Sequence, residues 1–182
     1  MSEDTDRFEL VAAGFDQRVR AVSAGKWDSQ SPCEEWKARD VVAHVVGNYR
    51  SMAAQATGGE SESMGANEDP LQAWGDAYDH MRVLVKDPEA LAKTVSGPTG
   101  PTPFEQALGA LIAMDTHVHT WDLARAVGGD ERLDPNVVRF TRATLEPFDA
   151  MLRRPGVFGP KLEPPADADE QTQLLYFLGR RA

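Results

Sequence analysis

The run Asp115-Thr116-His117-Val118-His119-Thr120-Trp121-Asp122 puts acids and imidazoles where the core of a helix should be apolar. It lies within Phe104 to Val127, which reads as one long helix with Pro103 at its start and Gly128 past its end. At about 100° per residue, Leu108, Leu111, Ile112, Leu123 and Ala126 share one face. Asp115 and His119 fall in the middle of that face, one turn above the other. A carboxylate buried among leucines is costly unless it is paired, protonated or bound to metal. The spacing admits two readings: a hydrogen-bonded core pair, or two ligands for one cation from consecutive turns. His117 points to the opposite side and is expected to face solvent. Asp122 stands one turn beyond His119, placed either to orient that imidazole or to pair with Arg125.

Outward from this helix, the periodicity predicts an all-α protein, a bundle of antiparallel helices. The first helix runs from about Thr5 to Val22, with Phe8, Val11, Phe15, Val19 and Val22 at helical spacing. The second spans roughly Lys37 to Ala56 and stops at Gly58-Gly59. A polar, acidic loop follows, and the third helix starts near Pro70 with the stripe Leu71, Trp74, Tyr78, Met81 and Val85. Gly97-Pro98-Thr99-Gly100-Pro101 cannot stay helical and leaves room for at most a minor hairpin. A fifth helix is expected from Pro135 to about Leu152, then a Pro- and Gly-rich tail from Pro155. A last short helix runs from Glu170 to Leu178, ended by Gly179. The whole, residues 1–182, reads as a single metal-binding domain with a loop-rich C-terminal extension.

A third ligand must come from another helix, and His44 in Asp40-Val41-Val42-Ala43-His44 is the candidate. Gly47, Asn48 and Ser51 on its face are small or polar and leave room for a cavity. Two imidazoles and a carboxylate suit a divalent metal, zinc or nickel first, then iron or manganese, with positions open to water or substrate. His80, beside Asp79, is expected at the surface; Trp36 is expected to pack at the entrance to the second helix, and Trp121 against a neighbour. Cys33 sits between a proline and two acids, Glu34 and Glu35, so it is read as structural rather than as a nucleophile.

Composition narrows the function. Nineteen basic against twenty-nine acidic residues give a formal charge of −10, which argues against nucleic acid and anionic membranes as partners. Apolar runs fall far short of the roughly 20 residues a membrane span needs. The acidic start, Met1-Ser2-Glu3-Asp4, is no secretory signal, and one cysteine fits a reducing cytoplasm. A monomer is favoured over a homodimer, with Val157, Phe158, Leu174, Leu175, Phe177 and Leu178 in a tail folded over its own bundle.

Ser31-Pro32-Cys33-Glu34-Glu35-Trp36, followed by Arg39-Asp40-Val41-Val42-Ala43-His44, resembles the entry to the second helix in the mycothiol-dependent maleylpyruvate isomerase N-terminal domain family. Asp115-x-x-x-His119-Thr120-Trp121-Asp122-Leu123-Ala124-Arg125-Ala126 resembles a later segment of that family, and the ending resembles an actinobacterial branch of it. The family lies within the DinB/YfiT-like group of metal-binding four-helix bundles. The resemblance implies a divalent metal on His44, Asp115 and His119, and a mycothiol-like low-molecular-weight thiol that is transferred to, or helps isomerise, a small electrophilic substrate. Here Asp115 stands where the isomerase has glutamate, one methylene longer, and the chain has little room for the isomerase's further C-terminal domain. Substrate and thiol contacts therefore do not transfer. A metal-assisted hydrolase and a non-catalytic metal or ligand module remain as alternatives.

Overall fold

The structure is a computed structural model describing residues 2–97, 100–153 and 158–182. Pro98, Thr99, Pro155 and Val157, which figured in the expected break and tail, lie outside the described residues. The chain forms two compact units, Met1–Glu131 and Arg132–Ala182.

The first unit is a four-helix bundle. Helix α1 (Glu3–Ala21) is capped by Ser2, whose hydroxyl accepts the Thr5 N–H, and carries Glu3, Asp4 and Asp6 in its first turn. Helix α2 (Ala38–Thr57) begins where the Asp40 carboxylate accepts the Lys37 N–H at 2.8 Å, and ends at Gly58 in the left-handed region. Helix α3 (Pro70–Leu84) has Asp69 as its cap and Pro70 in its first turn. A single turn α4 (Pro88–Leu91) leads to an antiparallel hairpin of β1 (Thr94–Gly97) and β2 (Gly100–Pro103). The long fourth helix comprises α5 (Phe104–Ala107), a wide π-helical turn over Leu108–Ile112, and α6 (Ala113–Val127).

Helix α1 packs on α6 and α3, and α2 packs on the same two. Between them Phe8, Phe15, Tyr49 and Trp74 are buried, with Phe15 meeting Trp74 edge-on at 4.7 Å and Tyr49 meeting it at 5.0 Å. Each such contact adds about 0.5–1.5 kcal/mol beyond the area it buries. The Trp74 indole N–H is satisfied by Asp16 at 2.9 Å.

In the second unit α7 (Pro135–Leu145) and α8 (Asp149–Leu152) are separated by a 3-10 turn over Glu146–Phe148, and α9 (Glu170–Phe177) packs on α7. The expected unbroken helix to Leu152 is thus interrupted, because Pro147 has no N–H to continue the ladder. Leu174, Leu175, Phe177 and Leu178 are buried.

Two further expectations needed revision. The fourth helix is not a plain α-helix: at Gly109 the backbone passes so close to Asp4 that a Cβ would overlap that residue's Cα and Cβ. The Gly109 carbonyl accepts Arg7 at 2.7 Å across the same contact. His117 is also not at the surface. It does lie opposite the Asp115–His119 face, but α6 is covered nearly all round and His117 is only 3% exposed. Among the described residues no helix is long and apolar enough to cross a membrane.

Candidate metal centre

Helix α2 and helix α6 bring three side chains to one point. The ligand atoms of His44, Asp115 and His119 all lie within 4.8 Å of one another. His44 Nε2 is 3.2 Å from Asp115 Oδ1, and His119 Nε2 is 3.6 Å from the same oxygen. The imidazoles meet edge to face, ring centres 4.7 Å apart. The cluster grades from the surface inward: His44 is 32% exposed, Asp115 27% and His119 9%.

Each of the two histidines is held in place. His119 Nδ1 donates to Asp122 Oδ2 at 2.9 Å, and the Asp122 side chain is fully buried. Of the two roles open to Asp122, orienting His119 is the one the structure displays, while Arg125 pairs with Glu131 at 2.9 Å. Asn48, one turn after His44, puts its amide nitrogen 3.0 Å from His44 Nε2 and 2.9 Å from Asp115 Oδ2. Trp36 covers the pair, its ring centre 5.0 Å from that of His44 and 5.7 Å from that of His119.

Trp36 is presented by a tightly tied loop. Its carbonyl accepts both the Ser31 N–H and the Gln30 amide at 2.9 Å, and Gln30 and Lys37 form an isolated antiparallel bridge. Glu35, immediately before it, holds a left-handed φ of 65°, an unfavourable conformation for a residue with a Cβ. In the same loop the Cys33 thiol donates to Asp122 Oδ2 at 3.4 Å. Cys33, His119 and Asp122 are also mutually close, but hydrogen bonds already join them, so they buttress the first cluster.

The electrostatics of Asp115 follow from these contacts. Burial pushes its carboxyl up, but the His119 charge, the His44 contact and the Asn48 amide together outweigh burial and hold it below the ordinary carboxylate range. Because His119 Nδ1 hydrogen-bonds to Asp122, Nε2 is the ring nitrogen that faces the Asp115 carboxylate. That nitrogen and the Asp115 oxygen, 3.6 Å apart, can share a proton or a metal ion. Two imidazole nitrogens and a carboxylate oxygen are a donor set that suits a divalent transition metal.

The sequence-read residues His44, Asp115 and His119 therefore share one site, His117 stays out of it, and His80 is exposed on α3. Three contributors were not singled out as part of it. Asn48 was legible from its spacing to His44. Cys33 carried no local signal, since its partner on α6 is far away in sequence, and Trp36, close in sequence to His44, reaches it only through the fold of the loop between them.

The family model described as the mycothiol maleylpyruvate isomerase N-terminal domain matches residues 8–124, which contain every residue of the cluster. The chain belongs to this family. Two uncharacterized proteins from different strains of Mycobacterium tuberculosis are each 30% identical over 169 residues, covering 87% of this chain and 87% of their own length. A crystal structure of a mutant of the mycothiol-dependent maleylpyruvate isomerase superposes with a TM-score of 0.52 at 15% identity. That match covers 75% of this chain and 65% of the other, and it establishes a shared fold. Within the mycothiol maleylpyruvate isomerase N-terminal family, then, this member carries aspartate, Asp115, as the acid of its two-histidine cluster.

Proposed function

We propose that this protein is a divalent-metal-dependent enzyme that uses a low-molecular-weight thiol of the mycothiol type to transfer to, or isomerise, a small electrophilic substrate. The observation that carries this reading is the orientation of His119. A buried carboxylate fixes its Nδ1, and its Nε2 turns to the oxygen that His44 Nε2 also approaches. An orienting partner behind an imidazole is characteristic of metal-binding histidines.

His44, Asp115 and His119 would hold the cation, which when bound would supply the positive charge that lets a coordinated thiol ionise near neutral pH. Asp122 keeps the His119 tautomer with its Nδ1 protonated. Trp36 covers the imidazoles and limits water on their flank. Cys33 hydrogen-bonds to Asp122 and sits between a proline and two acids, so we read the chain's single cysteine as structural and the thiol as coming from outside.

The test is metal analysis of freshly purified protein, followed by conjugation assays with a small electrophile and mycothiol, with and without that metal. Stoichiometric metal is expected, with turnover of the electrophile that requires the thiol and stops when the metal is chelated; a transferase would consume the thiol and an isomerase would return it. Bound metal with hydrolysis that needs no thiol would replace this reading with that of a hydrolase.

A further inference from the structure

The two oxygens of Asp115 have different neighbours. Oδ1 faces His44 Nε2 at 3.2 Å and His119 Nε2 at 3.6 Å, whereas Oδ2 receives the Asn48 amide at 2.9 Å. The orientation of that amide is settled by chemistry: an ionised carboxylate only accepts, so Asn48 must present its nitrogen and not its oxygen. Asn48 is in turn rigidly placed, one turn after His44 on α2, within 3.0 Å of that imidazole.

We infer that Asn48 is a positioning residue that makes Asp115 a one-oxygen ligand. It occupies Oδ2, so that only Oδ1 is offered to the cation and a coordination position stays open for the reacting thiol. An aspartate, with its short side chain, would otherwise be able to rotate and offer both oxygens, filling that position. The inference rests on the metal reading above, and it concerns the number of donors rather than whether a metal binds.

Wild-type, Asn48→Ala and Asn48→Leu proteins would be titrated with Co²⁺, following the visible bands of the bound ion and measuring affinity by chelator competition. Band position and intensity report the number and arrangement of donors independently of catalysis. One ion per wild-type chain is expected. Asn48→Ala should bind about tenfold more weakly, the lower end for loss of a residue that orients a ligand. Both variants should show changed bands as Oδ2 is released. Asn48→Leu preserves the side-chain size but removes the donor without adding a metal ligand or a charge, so a residue that merely fills space would leave its spectrum as in wild type. Wild-type bands in Asn48→Leu overturn the inference and leave the metal reading intact; they decide alone should Asn48→Ala fail to fold. A wild-type protein that binds no Co²⁺ removes both.

Discussion

His119 donates its Nδ1 proton to Asp122 across 2.9 Å, and that carboxylate has no exposed surface. A buried charge so placed costs solvation energy, which the hydrogen bonds from His119 and Cys33 help to offset. Asp122→Asn keeps the shape and removes the charge. It is expected to weaken divalent-metal binding roughly 10- to 100-fold, the range for partners that orient a ligating imidazole. Competition with a chromophoric chelator measures this, and unchanged affinity would mean that His119 needs no such support.

The three candidate ligands should not behave alike on removal. His44→Ala and His119→Ala should each abolish stoichiometric metal binding, because one imidazole and a short carboxylate make a poor chelate. Asp115→Ala should weaken it. His117→Ala should leave the stoichiometry intact yet lower stability by about 1–3 kcal/mol, as for loss of a buried side chain. Metal content and thermal unfolding, measured on the same preparations, separate the two effects.

Gly109 is the most crowded of the described glycines. Adding a methyl group there drives a Cβ into the backbone of Asp4 and displaces the Arg7 hydrogen bond to the Gly109 carbonyl. Gly109→Ala should therefore destabilise by about 2–3 kcal/mol, at the upper end for overpacking. Denaturant unfolding checks it; a change below half a kilocalorie would show that α1 can move aside.

Glu68 gives a pH signature. The hydrogen bond from Arg50, then that from the Gly65 N–H, hold its carboxyl below the ordinary range. A depressed folded value means that the pair stabilises fully above the unfolded value of about 4.3, and that its contribution disappears as pH falls through the lower, folded one. Wild type should exceed Glu68→Gln by at most about 1 kcal/mol, being a partly exposed pair. That gap should be constant from pH 5 to 7 and close in stronger acid. A gap that widened on acidification would reverse the sign of the argument.

Much of the bundle was legible because periodicity and caps are local. Asp69, Asp134 and Asp169 each precede a helix and cap it, and Gly58, Gly128 and Gly179 close one. The Asp115–His119 spacing was legible for the same reason, being contained in one helix. What escaped was set at long range. Nothing in Leu108-Gly109-Ala110-Leu111-Ile112 announces a π turn; the neighbouring Asp4 of α1 is what crowds it. The burial of His117 escaped because a helical wheel shows which side a residue takes, not whether that side is wet. Cys33 meets Asp122 from 89 residues away, a separation no pattern spans. The hairpin strands are four residues each, too short for alternation to register.

The wide turn at Leu108–Ile112 divides the fourth helix into stretches with unequal tolerance of insertions and deletions. A π turn contains more residues than an α turn, so losing one there can be absorbed by tightening to ordinary helical geometry, with both flanks keeping their sides. The same deletion between Asp115 and His119 has no slack to draw on and would swing one ligand about 100° from the other. Among homologues, length changes in this helix should therefore collect before Ala113 and be absent between the acid and the histidine, a genetic trace of the cluster's geometry.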